Sequence, residues 1–215
     1  MKRAVDLIMF DLDGTLADTG RDLADSVNYT RAHFNLAPLA EELVFGHVGR
    51  GVEHMLKHSL PEESPHHFQE VMRIFLGRYE MHLLDRTVLY PGVHDALEHF
   101  RDKQRVVVSN KIRRLTVAVV RGLGVESYFD AIFGGDSAAE KKPAPALLNL
   151  VLQRFQVPAA AALIVGDGDT DVEAGKRAGV LTCGVTYGLG NKADLLAAKP
   201  DVMIDNIKEL SDYFC

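Results

Sequence analysis

Ile8-Met9-Phe10-Asp11-Leu12-Asp13-Gly14-Thr15-Leu16 places two carboxylates, separated by a single residue, at the abrupt end of an apolar, strand-like run. A buried strand gains nothing from two closely spaced aspartates, because taking an ionised carboxylate out of water is costly unless it is paired or bound to a metal. Gly14 lets the backbone turn sharply, or at positive φ, directly after them. Taken alone the stretch fits two arrangements: a solvated exit from a strand into a turn, or a place that holds a metal ion beside a reactive carboxylate.

Composition narrows the choice. The chain has 215 residues, 47% of them apolar and 25% charged, which is enough to bury a proper core and gives no sign of disorder. A net charge of −6 argues against a nucleic acid or an anionic membrane as the main partner, since both are bound largely through clustered Lys and Arg. Cys183 and Cys215 are too few for a disulfide framework or a cysteine-ligated zinc site and read as reduced cytosolic thiols. The apolar run near the N-terminus is broken by Asp6 and stops at Asp11, so it reads as neither a signal peptide nor a membrane span. The expectation is a cytoplasmic protein that acts on a small molecule.

Two textures follow along the chain. From Asp18 to Arg86, apolar residues such as Leu23, Val27, Phe34, Met55, Val71, Phe75 and Leu83 recur at roughly helical intervals, which predicts an all-helical stretch. Elsewhere apolar strands alternate with amphipathic helices. The strands are expected at Val5–Phe10, Arg105–Val108, Ala131–Phe133, Ala162–Val165, Val180–Val185 and Val202–Ile204. Helices are expected at Val93–Asp102, Leu115–Leu123, Pro145–Phe155, Asp171–Ala178 and Ile207–Phe214. That alternation predicts an α/β fold: a Rossmann-like parallel sheet with helices on both faces and an all-helical cap domain inserted after the first strand. The expected boundaries are residues 1–17 and 88–215 for the catalytic core and 18–87 for the cap.

In open α/β sheets ligands bind at the carboxyl ends of the strands, so the residues that follow each strand matter most. Three strand candidates end in polar runs: Asp11 to Thr15, Ser109-Asn110-Lys111, and Gly166-Asp167-Gly168-Asp169-Thr170-Asp171. If these ends are neighbours in the sheet they make one site.

Asp11-Leu12-Asp13-Gly14-Thr15, Ser109-Asn110, Lys142-Pro143-Ala144-Pro145 and Gly166-Asp167 with Asp171 match, in order and spacing, the four motifs of the haloacid dehalogenase-like hydrolase superfamily, and the resemblance spans essentially the whole chain. Val48-Gly49-Arg50-Gly51 and Gly184-Val185-Thr186-Tyr187-Gly188 make it most similar to the phosphoglycolate phosphatase-like branch. The resemblance implies that Asp11 attacks phosphorus and forms an aspartyl-phosphate, splitting one displacement into two. Asp13 then serves as general acid toward the leaving alkoxide and as general base toward water. It implies Mg²⁺ as cofactor, held by the Asp11 carboxylate, the Asp13 backbone carbonyl and Asp167, with Asp171 as a further ligand or outer-sphere partner. Ser109 and Asn110 match the residues that hydrogen-bond the phosphoryl oxygens, and Lys142, rather than Lys141, matches the lysine that neutralises nucleophile and phosphate. Thr15 joins the substrate-binding set. Asp169 falls between the matching positions and reads as a solvated or helix-capping residue.

Substrate choice then falls to the cap. Arg50, between two glycines, either presents its forked guanidinium to a second anionic group such as the carboxylate of phosphoglycolate, or faces solvent from a turn. His33, His47, His54, His58, His66, His67 and His82 cluster in the same stretch without a transition-metal ligand pattern. His54 and His58 share a helix face, which reads as an exposed helix, and His66-His67 beside Pro65 reads as a loop. The leading function is a Mg²⁺-dependent phosphomonoester hydrolase acting on a small phosphorylated metabolite such as 2-phosphoglycolate, as a monomer or homodimer. A phosphosugar mutase-like transferase is the first alternative, although mutases of the superfamily more often carry valine where Thr15 stands. A non-catalytic phosphate-binding regulator is the second.

Overall fold

The computed structural model describes residues 2–60 and 68–215. In chain order these form β1 (Leu7–Phe10), β2 (Ala17–Asp18), α1 (Gly20–His33), α2 (Glu41–Phe45), α3 (Val52–Ser59), α4 (Phe68–Met81), β3 (Val88–Leu89) and α5 (Val93–His99). There follow β4 (Gln104–Val108), α6 (Arg113–Gly122), β5 (Ala131–Phe133), α7 (Ala146–Phe155), β6 (Ala162–Gly166), α8 (Asp169–Ala178), β7 (Leu181–Val185), α9 (Lys192–Ala198), β8 (Val202–Ile204) and α10 (Leu210–Tyr213). The loop expected around His66 and His67 lies outside the described residues.

Six strands form one parallel sheet in the order β5-β4-β1-β6-β7-β8. Strand β1 reads as an unbroken apolar run because both of its faces are covered. Ile8 and Phe10 point to a core that includes Val107, Leu163, Val165 and residues of α5, α6 and α10; Leu7 and Met9 point to the opposite core with Val106, Val108, Ile164 and residues of α7 and α8. The chain runs outward from β1 through β4 to β5, then returns to the other side of β1 at β6. The direction therefore reverses between β1 and β6, and a crevice opens at their carboxyl ends. Asp11 leaves one wall of it and Asp167 the other, with Asp11 N–H donating to the Val165 carbonyl at 2.9 Å across the gap.

Helices α1 to α4 are built as an excursion between β2 and β3. Those two short strands pair antiparallel, Ala17 opposite Leu89 and Asp18 opposite Val88, so the outgoing and returning chains lie side by side. Just beyond the ribbon, the buried Asp22 carboxylate accepts from Arg86 N–H (3.1 Å), Thr87 N–H (2.9 Å) and Thr87 Oγ1 (2.7 Å). Within the excursion α1 packs on α2 and α4, burying Leu23, Val27, Val71 and Phe75.

Several expected boundaries shift for local reasons. The helix expected to run to Asp102 stops at His99, because Gln104 N–H must reach the Asp6 carbonyl (3.0 Å) to start β4. The helix expected at Ile207–Phe214 begins as a 3₁₀ turn capped by Asn206 before α10. Helix α9 and the β2–β3 ribbon are additions to the sequence reading.

Candidate active site

The residues at the crevice reach it from four loops. Gly14 supplies the turn after β1 at φ +84°, and a Cβ there would sit 2.0 Å from Oδ2 of Asp167, so only glycine lets these two loops meet. Asp11 and Asp13 are both buried. Lys142 Nζ, fully enclosed, donates to Oδ1 of Asp171 at 2.6 Å and to the Val108 carbonyl at 2.8 Å, and stands 3.1 Å from Oδ1 of Asp11. Asp167 accepts from the backbone N–H groups of Leu189 and Gly190, both at 2.8 Å, and its other oxygen accepts from Thr15 Oγ1 at 3.3 Å. Tyr187 donates to the Thr15 carbonyl at 2.9 Å.

Three of these carboxylates, Asp11, Asp167 and Asp171, bring oxygen atoms within 4.8 Å of one another. Burial pushes Asp11 up to about 8; Lys142 opposes that shift, while Asp171, Asp167 and Asp13 add to it. Burial and Asp171 push Asp167 up to about 7 against the pull of the two backbone N–H groups. Oδ1 of Asp11 is buried without an aligned hydrogen bond, even though Lys142 lies within ion-pair distance. Hard oxygen donors, crowded negative charge and an unpartnered buried oxygen suit a divalent cation. The Asp13 carboxylate is not one of this triad.

Asp13 is instead held by Thr19 Oγ1 at 2.7 Å and by Lys111 Nζ at 2.8 and 2.9 Å. Lys111 is the site residue that the sequence reading passes over. It was visible beside Ser109 and Asn110, as a lysine at the end of an apolar strand, but its partner comes from a distant loop. Burial alone would lower its proton affinity; Asp13 and Tyr79 override that and hold it above the usual lysine range. Its ammonium lies 4.9 Å from the centroid of the Tyr79 ring, on α4. Burial pushes the Tyr79 hydroxyl up to about 12, against the pull of Lys111 beside it.

Ser109 Oγ accepts from Lys111 N–H at 3.3 Å, which leaves its own proton to donate. Asn110 is occupied otherwise. Its Oδ1 accepts from Lys142 N–H at 2.9 Å, and Nδ2 donates to the carbonyls of Lys142 and Gly49, both at 2.8 Å. The side chain thus braces the lysine loop and ties it to the turn after α2. Arg50, in that turn, pairs with Asp169 Oδ2 at 2.6 Å, with both side chains partly exposed. Asp169 opens α8, and its carboxylate meets the arginine of the helical excursion. Between the excursion and the sheet edge lies a pocket lined by Asp13, Ser109 and Lys111 on one side and by Gly49, Gly51 and Met55 on the other.

The chain belongs to the haloacid dehalogenase-like hydrolase family, whose model matches residues 8–185. Within that family it is similar to the phosphoglycolate phosphatase of Chromobacterium violaceum, 36% identical over 95% of this chain and 94% of that one. It is also similar to the phosphoglycolate phosphatase of Pseudomonas putida, 34% identical over 95% and 78%. A crystal structure of a predicted phosphoglycolate phosphatase from Haemophilus somnus, 29% identical, superposes with a TM-score of 0.90 and covers 97% of each chain. Among the described residues no helix is long and apolar enough to cross a membrane.

Proposed function

We propose that the protein is a Mg²⁺-dependent phosphomonoester hydrolase that forms an aspartyl-phosphate on Asp11 and acts on a small phosphorylated metabolite, with 2-phosphoglycolate as the first candidate. The observation that carries this reading is the buried Asp11 carboxylate between Lys142 and the Asp167–Asp171 pair, at the crevice where the sheet order reverses. The resemblance over nearly full length to phosphoglycolate phosphatases supports the substrate class.

Asp11, Asp167, Asp171 and the Asp13 carbonyl would hold Mg²⁺, whose positive charge would let an anionic nucleophile approach an anionic phosphoryl group. An Asp11 oxygen forms the bond to phosphorus as the bond from phosphorus to the leaving oxygen breaks. Asp13 delivers a proton to that oxygen, then takes one from the water that attacks the phospho-aspartate and frees phosphate. Ser109 donates to the phosphoryl oxygens and Lys142 balances their charge. Asn110 acts through the Lys142 loop, fixing where that ammonium stands. Because Lys111 occupies both Asp13 oxygens, Asp13 becomes available when Lys111 turns toward a second anionic group of the substrate. Lys111 lines the pocket beside Asp13 and Ser109, which supports a role in meeting the carboxylate of a short phosphorylated acid. Residues 18–87 act as a cap domain over a catalytic core of residues 1–17 and 88–215, and the protein works in the cytoplasm.

Asp11→Asn tests the nucleophile. The variant should retain the wild-type melting transition and lose turnover by about 10³-fold or more in a phosphate-release assay with Mg²⁺. Undiminished turnover would overturn the assignment of Asp11.

A further inference from the structure

Three histidines of the helical excursion converge next to the substrate pocket and take no part in the chemistry above. His54 and His58 stand one turn apart on α3, and His47 arrives at the same place from the turn after α2. The rings of His47 and His58 stack at a centroid distance of 4.8 Å, and those of His54 and His58 at 4.0 Å. One ring nitrogen from each lies within 4.8 Å of those of the other two.

Two further features distinguish the cluster from an ordinary stack of surface rings. His58 Nδ1 lies 2.8 Å from the His54 carbonyl. A carbonyl only accepts, so Nδ1 carries the proton and Nε2 of the neutral ring holds the lone pair, the arrangement that orients metal-bound histidines. Nδ1 of His54 is buried with no hydrogen-bond partner, and buried polar atoms without partners are uncommon in folded proteins. Burial and the neighbouring His58 lower the proton affinity of both His47 and His54; Arg50 adds to the effect at His54, while a hydrogen bond to the His47 backbone opposes it. Neutral imidazole is the form that binds metals.

We infer that His47, His54 and His58 form a binding site for a borderline divalent transition-metal ion such as Zn²⁺, separate from the carboxylate triad. Three imidazoles suit zinc, copper or nickel, whereas Mg²⁺ takes hard oxygen donors, so the two sites select different ions. In a tetrahedral site with Zn–N bonds of about 2.0–2.1 Å, ligand nitrogens stand about 3.4 Å apart. From within 4.8 Å the ring nitrogens must close by roughly 1.4 Å, and the rings must turn out of their stack to aim at one ion. A fourth position stays open for water or a ligand. His47 also lines the substrate pocket, which places the ion at its wall.

Co²⁺ serves as the probe, titrated into the full chain with Mg²⁺ in excess to occupy the carboxylates. One equivalent should bind with the intense visible absorption of a tetrahedral ion. His58→Ala, at an exposed position, should weaken that binding at least about 10-fold while leaving Mg²⁺-dependent turnover in chelexed buffer unchanged. Asp167→Asn should bind Co²⁺ like the wild type. Equal Co²⁺ affinity in His58→Ala and wild type, or absorption lost in Asp167→Asn but kept in the histidine variants, would overturn the assignment. If His58→Ala fails to fold, His58→Gln, judged by the same absorption at an unchanged melting temperature, decides the matter.

Discussion

Lys111 shows how a single residue can be prominent in the sequence and still be misjudged. It follows Ser109 and Asn110 directly, yet what makes it matter is a pair of hydrogen bonds to Asp13 and an aromatic ring from α4. Both partners are long-range, and no local pattern announces them. If Lys111 meets the second charge of the substrate, Lys111→Met should lower kcat/KM for a phosphorylated carboxylic acid by about 10–10²-fold, the range of ~1.5–3 kcal/mol for a hydrogen bond to a charged group. A phosphate ester with an uncharged leaving group should lose far less. Parallel kinetics on the two substrates check this, and equal losses would remove Lys111 from substrate choice. Asp11, Asp13, Asp167 and Asp171 stand out in the sequence as acids in the polar runs that follow strands, whereas Lys142, in the loop before α7, stands out only through the motif resemblance. Arg50 and Asn110 were legible as polar residues but not as to partner: one is engaged by Asp169, the other by two backbone carbonyls. The Arg50–Asp169 pair is partly exposed and is worth at most about 1 kcal/mol, so it can open readily for a substrate.

At the scale of elements, the parallel strands were the easiest to read. Leu7 to Phe10 and Ala162 to Gly166 are buried on both faces, and only a continuous apolar run satisfies that environment. The two-residue strands β2 and β3 carry no such signal, since pairing across the whole helical excursion, rather than their own composition, defines them. Helix α9 was hidden for another reason: Lys192 to Ala198 buries only Leu195, and the Asn191 side chain, accepting from Ala193 N–H at 2.8 Å, starts it. The convergence of His47 on α3 was likewise invisible, because helical spacing reveals His54 and His58 but not a third ring from a preceding turn. Asp22 is the element-scale anchor, holding α1 to the returning chain. Replacing it with alanine strands three buried or partly buried donors, each costing roughly 1–3 kcal/mol when unsatisfied. Asp22→Ala should therefore lower the urea midpoint with a loss of about 2–4 kcal/mol, whereas Asp25→Ala, at an exposed ion pair, should change it by well under about 1 kcal/mol. Equal midpoints for the two variants would contradict the anchoring role.

Across the whole molecule the acid triad sets an electrostatic cost that depends on pH and on metal. In the fold Asp11 and Asp167 keep their protons up to about 8 and about 7, against 3.8 for an unperturbed aspartate. Between those limits the native state binds more protons than the unfolded chain, so the stability linked to these two groups falls as pH rises from about 4 to about 8. Lys111 and Lys142 are raised as well and so carry the same sign of slope, but their contribution is fully present through the ordinary lysine range and is lost only as pH rises above it. In chelator, the melting temperature should fall between about pH 5.5 and about pH 8, by roughly 2–4 °C for each kcal/mol of linkage. Mg²⁺ should restore it, and by more at the higher pH, because binding needs the ionised carboxylates. Asp167→Asn should flatten the pH slope. A melting temperature that rises with pH in chelator, or a Mg²⁺ effect independent of pH, would contradict this account.

The β2–β3 ribbon has a consequence for how the sheet assembles. Because Ala17 faces Leu89 and Asp18 faces Val88, residues 19–87 leave and rejoin the sheet through one closed ladder, as the loop of a long hairpin does. Closure entropy grows only logarithmically, by about 0.6 kcal/mol for each doubling of such a loop. The pairing of β1 with β4 is therefore nearly indifferent to how many helices the loop carries. A chain built this way can lengthen, shorten or replace its helical excursion while the strands that lead to Asp11 and Asp167 keep their register.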